Sequence, residues 1–145
     1  MIVYPTDNYD SWLSEDDADS YFETRLNAEP WDSEQNREAA LQTAFRSINA
    51  LDLTIVLDDD KIISSAYYTS DQISEILTAL QQAQAEQCLH ELVFETEGPG
   101  ISSFSLGGLL SAKLDTKKDS TPRYSERAFE YLRPWLRART VARVR

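Results

Sequence analysis

The residues of this chain that could carry out catalysis or bind a metal ion are few. Cys88 is the single cysteine and His90 the single histidine among 145 residues. On a helix, residues two positions apart point in different directions, so we do not expect a Cys–His nucleophilic pair. One cysteine forms no disulfide within the chain and fits a reducing cytoplasm. The sequence therefore predicts no catalytic residue, no metal ligand and no cofactor.

Two further patterns have the composition of ion-binding sites. Asp58-Asp59-Asp60 supplies three carboxylates, but it lacks the spaced ligands, the glycine and the distal Glu of an EF-hand loop. We predict a solvent-exposed turn there. Gly107-Gly108 could cradle a phosphate, yet no Lys-Ser or Lys-Thr follows it. Neither pattern predicts a specific ligand.

The charge of the chain is strongly divided around a net value of −11. Residues 1–112 contain four Lys or Arg against 21 Asp or Glu, whereas residues 113–145 contain ten against four. An acidic body with a basic C-terminal part predicts that this part docks on an acidic partner. That partner could be another protein, a second copy or nucleic acid. The alternative is that the division serves solubility only.

The candidate residues must be positioned by helices or strands, and the longest predicted secondary-structure element is a helix from Ser70 to about Glu95. Ser70 and Asp71 are candidates for its N-cap, and Gly98-Pro99-Gly100 is expected to end it. We expect the other helices to pack against this helix. No apolar run reaches the length of a membrane span, so no membrane association is predicted. The apolar stripe of the helix consists of Ile73, Ile76, Leu77, Leu80, Ala83, Cys88 and Leu92.

Three shorter helices are predicted over residues 14–27, 32–51 and 124–133. Ser14 begins the first, and an Asp32–Gln35 capping pair begins the second. The first two should form an antiparallel hairpin, because only about five residues join them. The apolar face of the first helix consists of Ala18, Tyr21, Phe22 and Leu26.

Extended segments are predicted at residues 1–13, 53–57 and 101–115. The first should lie across the body as an apolar strap, with Tyr4, Tyr9, Trp12 and Leu13. The second is β-branched and predicts a short strand. The third predicts a β-hairpin, with strands at 101–106 and 109–115 around a Gly-Gly turn. An isolated hairpin is only marginally stable, so we expect it to pair with a neighbouring subunit or to face a channel. The hairpin residues assigned to that role are Phe104, Leu106, Gly107, Gly108 and Leu110.

The predicted fold is therefore mainly α. It is a small antiparallel bundle of about four helices with a β-hairpin insertion and an extended basic C-terminal tail. One domain covers residues 1–136, and the tail covers residues 137–145.

Several stretches, in this order, resemble the head–tail adaptor (connector or head-completion) proteins of tailed bacteriophages, which often carry the label "DnaT-like single-stranded-DNA-binding protein". They are the segments 14–26, 31–32 and 37–44, the Ser-Leu-Gly-Gly at 105–108 and Tyr-Leu-Arg-Pro-Trp-Leu at 131–136. The similarity covers most of residues 10–136. It rests on order and spacing, because none of these stretches is a chemical motif.

The resemblance implies a structural role and no enzymatic activity. Such adaptors form a ring, usually a dodecamer, beneath the portal protein in the virion neck, after assembly in the bacterial host cytoplasm. The ring extends the DNA channel, contacts passing double-stranded DNA without sequence specificity and presents a surface to the next neck or tail-completion protein. On this view the tail docks on the portal through Arg133, Trp135, Leu136, Arg137, Arg139, Val141, Arg143 and Arg145.

Two other functions stay open from the sequence. Single-stranded-DNA binding would use the basic C-terminal third and its aromatic residues, against the repulsion of an acidic body. A small acidic inhibitor that mimics DNA is compatible with the acidic composition, but the basic tail argues against it.

Overall fold

The computed structural model describes residues 1–103 and 123–137, and the described part is mainly helical, as predicted. Five helices occur there instead of about four, and a single 3₁₀ turn, Arg133–Trp135, follows the last of them. No sheet occurs in these two ranges, where the β-pairing consists of isolated bridges. The helices are α1 (Glu15–Glu23), α2 (Glu29–Ser33), α3 (Arg37–Asn49), α4 (Ser70–Ser103) and α5 (Glu126–Leu132).

The long helix α4 is the element against which the others pack, as predicted. Helices α3 and α5 make most of their contacts with it, and α1 and α2 also touch it. Ile76 and Leu80 of the predicted stripe are buried, and Ile73 and Leu77 pack against the same apolar cluster. From residue 83 to 89 every side chain of α4 is buried. This part of the helix therefore lies inside the bundle with no solvent face.

The C-terminal end of α4 contradicts the prediction. The helix continues through Gly98-Pro99-Gly100 and ends at Ser103. Proline and glycine impose a penalty of about 3 and 1 kcal/mol inside a helix, and a penalty is not an absolute stop. Residues 101–103, predicted as the start of a β-strand, therefore belong to α4. The remainder of the predicted hairpin lies outside the described residues.

The start of α4 is held by a capping box between Thr69 and Gln72. The Gln72 backbone N–H donates to Thr69 Oγ1 at 3.2 Å, and the Thr69 N–H donates to Gln72 Oε1 at 2.9 Å. The N-cap is therefore Thr69 and not Ser70 or Asp71. The Thr-x-x-Gln pattern is the sequence signal for it.

Replacing Thr69 by alanine is expected to lower the free energy of unfolding by about 1 kcal/mol, the usual cost of a lost N-cap. Ser70→Ala, one residue further along the exposed start of α4, should change it by less than about 0.5 kcal/mol. Urea denaturation of both variants checks this. Equal effects at the two positions would contradict the capping assignment.

The region between α1 and α3 also differs from the prediction. Helix α1 starts after Ser14, whose hydroxyl accepts from the Asp17 N–H, but it ends at Glu23. The chain then reverses at Asn27, where φ is 62°, so Leu26 is 81% exposed and is not part of the apolar face. Pro30 lies in the first turn of the separate short helix α2, where its missing N–H costs nothing.

The second predicted helix therefore starts late. The backbone is extended at Glu34, and the Glu34 carboxylate accepts from the Asn36 N–H at 2.8 Å. Helix α3 begins only at Arg37. The predicted Asp32–Gln35 capping pair is wrong, because Asp32 belongs to α2.

The two extended segments described by the structure form part of the core without forming strands. Trp12 and Leu13 are buried, which confirms that residues 1–13 lie across the body. The predicted strand at 53–57 is reduced to single antiparallel bridges from Leu53 to Leu136 and from Leu57 to Ile63.

Candidate functional site

Residues 135–137, at the end of the described part of the chain, form a junction with residues 52–54. The Thr54 N–H donates to the Trp135 carbonyl at 2.7 Å, and Leu136 pairs with Leu53. Arg137 Nε lies 2.6 Å from Asp52 Oδ1. Backbone pairing and one ion pair thus fix the position of residues 135–137 on the body.

The predicted portal-docking residues fall into two groups at this junction. Trp135 and Leu136 are half-buried and pack against the core of their own chain. Arg133 is exposed, and Arg137 is exposed but ion-paired. The others, Arg139, Val141, Arg143 and Arg145, lie outside the described residues, as do all five predicted hairpin residues: Phe104, Leu106, Gly107, Gly108 and Leu110.

Gln87 of α4 holds the start of the C-terminal unit in place. Its amide group donates to the Arg123 carbonyl at 3.0 Å and accepts from the Ser125 N–H at 2.9 Å. The Ser125 hydroxyl then caps α5 by accepting from the Ala128 N–H. A buried polar side chain with these bonds specifies one position for the unit. The junction is therefore positioned from α4.

A second buried polar side chain of α4, Gln84, holds the N-terminal strap. Its carbonyl oxygen accepts from the N–H groups of Trp12 and Leu13 at 2.9 and 3.2 Å. Its amide nitrogen donates to Ser11 Oγ and to the Leu41 carbonyl at 2.8 and 2.9 Å. The side chain is fully buried and uses all of its main donor and acceptor positions.

The third polar group of α4 is a buried carboxylate, Glu86, which is 3% exposed. Arg25 Nε and Nη2 donate to its two oxygens at 2.8 and 2.9 Å. The Tyr21 hydroxyl also donates to this carboxylate and lies 3.4 Å from the Tyr131 hydroxyl. Helix α1, α4 and α5 therefore meet at one charged, hydrogen-bonded centre.

The pKa shifts at this centre follow from its geometry. Burial alone would raise the pKa of the Glu86 carboxyl, but hydrogen bonds from Arg25 and Tyr21 and the Arg25 and Arg127 charges outweigh it, so the pKa is lowered. The pKa of the Tyr21 hydroxyl is raised. Burial is the largest cause, and the hydrogen bond to Glu86 is the next largest. Glu86 is ionised and Tyr21 is neutral at pH 7. The centre acts as a structural clamp in which every group has a partner.

Acid should weaken this clamp. A carboxyl whose folded-state pKa is lowered contributes stability above its unfolded-state pKa, and that contribution is lost as pH falls through the folded value. We expect the free energy of unfolding to fall below about pH 5, and to fall less steeply in the double variant Arg25→Met/Glu86→Met. Thermal unfolding of both proteins between neutral and acidic pH measures this. Identical pH slopes would contradict the assignment.

A cleft of about 480 Å³ borders the clamp, between α4 and the start of α5. His90 lies in this cleft, with its ring 4.9 Å from the Phe94 ring. Cys88 is fully buried in the core, and burial raises the pKa of its thiol. The thiol is therefore protonated at pH 7 and out of reach of solvent, which makes it a packing residue.

Another part of the surface contains an acidic groove of about 610 Å³, defined by Asp7, Asp59 and Asp60 around an apolar floor of Tyr9, Phe45 and Leu57. Asn8, Asn49 and Lys61 complete its lining. The predicted exposed turn at Asp58-Asp59-Asp60 is confirmed, and the Lys61 N–H donates to the Asp58 carbonyl to close it. Among the side chains that the structure describes, those of residues 1–94 and 123–137, no group of acidic, His or Cys residues is arranged to hold a metal ion.

The comparisons with known proteins found no similar protein. The chain matches none of the protein-family models, none of the curated proteins and none of the solved structures with which it was compared. In the described ranges, no helix has both the length and the apolar character needed to cross a membrane.

Proposed function

We propose that this protein is a structural head-to-tail adaptor of a tailed-phage virion, which forms a ring under the portal and links it to the next neck or tail-completion protein. The observation that supports this most is the junction at residues 52–54. There the acidic body holds residues 135–137, which directly precede the arginine-rich residues 138–145 in sequence. The order of the phage-like stretches in the sequence points the same way.

The junction suits docking of the tail on a larger partner. Trp135 and Leu136 anchor the base of the tail in the core, and the Arg137–Asp52 pair orients it. A short tail of this composition can become ordered on a partner surface and contribute charge there. The acidic body suits a conduit in which DNA must slide, because few cations are present to bind phosphates.

Ring formation is the second part of the proposal. Contacts between identical copies that close into a ring are heterologous, so each copy contributes two different surfaces. We assign one of these surfaces to residues 104–110, which lie beyond the end of α4. The predicted residues there, Phe104, Leu106, Gly107, Gly108 and Leu110, stay assigned to subunit contacts or to the channel.

The double variant Arg139→Ser/Arg143→Ser is expected to bind the cognate portal ring at least about 10-fold more weakly, because two charge-assisted contacts are lost. The contacts of Trp135, Leu136 and Arg137 with the body are left intact, so the variant should unfold in the same cooperative way as the parent protein. Co-sedimentation with purified portal rings measures binding. The matched control is Arg46→Ser/Arg123→Ser, which removes the same charge from the exposed surface of the body. Equal weakening by both variants would contradict specific docking of the tail.

A second candidate function, single-stranded-DNA binding, is favoured by one observation. The Arg123 guanidinium lies 5.6 Å from the Tyr124 ring centre, and Tyr124 stacks on Phe129 at 5.3 Å. Aromatic rings beside cations are the usual platform for unpaired bases. Salt-dependent binding of an oligonucleotide that Tyr124→Ala abolishes would support this function. The adaptor function requires no such binding in the isolated protein.

A further inference from the structure

The acidic groove lacks a charge partner in the described part of the chain. Asp7, Asp59 and Asp60 are exposed, and none of them forms an ion pair there, even though Lys61 lines the same groove. Leu57 is 41% exposed beside them. Carboxylates around an exposed apolar floor fit a partner that carries both arginines and small apolar side chains.

We propose that this groove binds the chain's own residues 138–145 within the same molecule. That segment has the sequence Ala-Arg-Thr-Val-Ala-Arg-Val-Arg, with three arginines and no acidic residue. In an extended chain, alternate residues point to opposite sides. Arg139, Arg143 and Arg145 then share one side, and Thr140, Ala142 and Val144 share the other. The segment thus offers arginines to the carboxylates and small side chains to the floor.

The position of the junction brings the segment to the groove. Because the Leu53–Leu136 bridge is antiparallel, Arg137 lies beside Asp52, on the side of the junction that leads to the end of α3. Asn49 at that end lines the groove, and its Cα lies at most about 11 Å from that of Asp52, three residues away. Eight extended residues reach roughly 26 Å. The segment is therefore long enough to reach the edge of the groove at Asn49 with residues to spare.

Attachment to the same molecule also favours this occupant over a second copy. A short tether raises the effective concentration of the segment at the groove to about the millimolar range. Docking of this kind goes beyond the adaptor role, because it concerns the free protein before any partner binds. In the free protein the arginines are bound to the groove, and an acidic surface of a partner has to compete with the groove to bind them.

A spin label on a cysteine added after Arg145 tests the proposal, since Cys88 is buried and does not compete for the label. In the full-length protein at low salt, the amide NMR signals of Asn8, Asn49 and Lys61 should lose most of their intensity. Signals of α2 should keep theirs. The loss should shrink several-fold at about 1 M salt, where the Debye length is about 3 Å.

Two triple variants separate groove binding from general attraction. Asp7→Asn/Asp59→Asn/Asp60→Asn should restore the groove signals, whereas Glu23→Gln/Glu29→Gln/Asp32→Asn, with the same charge change at other exposed positions, should leave the loss intact. Equal behaviour of the two variants would overturn the proposal. So would signal loss in an isotope-labelled chain mixed with a separate spin-labelled chain, because the occupant would then be a second copy. Portal binding does not enter either readout.

Discussion

Replacing Arg25 by methionine is expected to lower the free energy of unfolding by about 3 kcal/mol, a loss of about 10 °C in the thermal midpoint. The Glu86 carboxylate is 3% exposed and would keep the Tyr21 hydroxyl as its one described hydrogen-bond donor, with the Arg127 charge acting on it without a hydrogen bond. A buried charge without its counter-ion is among the most destabilising changes in a protein. Thermal and urea unfolding of the variant measure the effect.

The double variant Arg25→Met/Glu86→Met should recover most of this loss, because a buried ion pair can be exchanged for apolar side chains at little net cost. Arg46→Met is the matched single control, since Arg46 is exposed and donates only a 3.4 Å hydrogen bond to Thr43. It should change the stability by less than about 0.5 kcal/mol. A double variant as unstable as Arg25→Met would contradict the role of the pair as a clamp.

Gln84→Leu is expected to cost about 2 to 3 kcal/mol. Leucine fills a similar volume, but it leaves the buried Trp12 N–H without its acceptor, and an unpaired buried donor costs about 1–3 kcal/mol. Amide hydrogen exchange should identify the cause, because Trp12 and Leu13 should exchange faster than the core of α3.

The control for this change is Gln82→Leu on the same helix. Gln82 is half-buried, and its side chain makes no hydrogen bond among those described in the structure. Its replacement should leave stability within about 0.5 kcal/mol and exchange at Trp12 unchanged. If Gln84→Leu lowered the stability without faster amide exchange at Trp12 and Leu13, the claim that Gln84 holds the N-terminal strap would be contradicted.

Local chemistry explains which parts of the fold were predictable. The Ser14 cap, the apolar stripe of α4 and the last helix depend on neighbours in sequence, and their predictions are confirmed. The strand at 53–57 is different, because strands depend on partners. Its partners are single residues, Leu136 and Ile63, and only isolated bridges result.

The polar side chains of α4 were missed for a related reason. Gln84, Glu86 and Gln87 look like the solvated face of an amphipathic helix, yet all three are buried. Apart from the hydrogen bond from Gln87 to Glu91 within α4, their described partners lie 36 to 73 positions away in sequence. The spacing of apolar residues along a helix gives no information about partners so distant in sequence. The available signal was a run of uncharged glutamines among small residues, which is compatible with a helix covered on every side.

The molar mass of the protein in solution, alone and with its cognate portal ring, is the most direct test of the adaptor role. Light scattering at moderate salt is expected to show either a ring that binds the portal or a smaller species that joins the portal as a ring. A protein that stays monomeric with the portal present and instead binds single-stranded oligonucleotides would contradict the adaptor role.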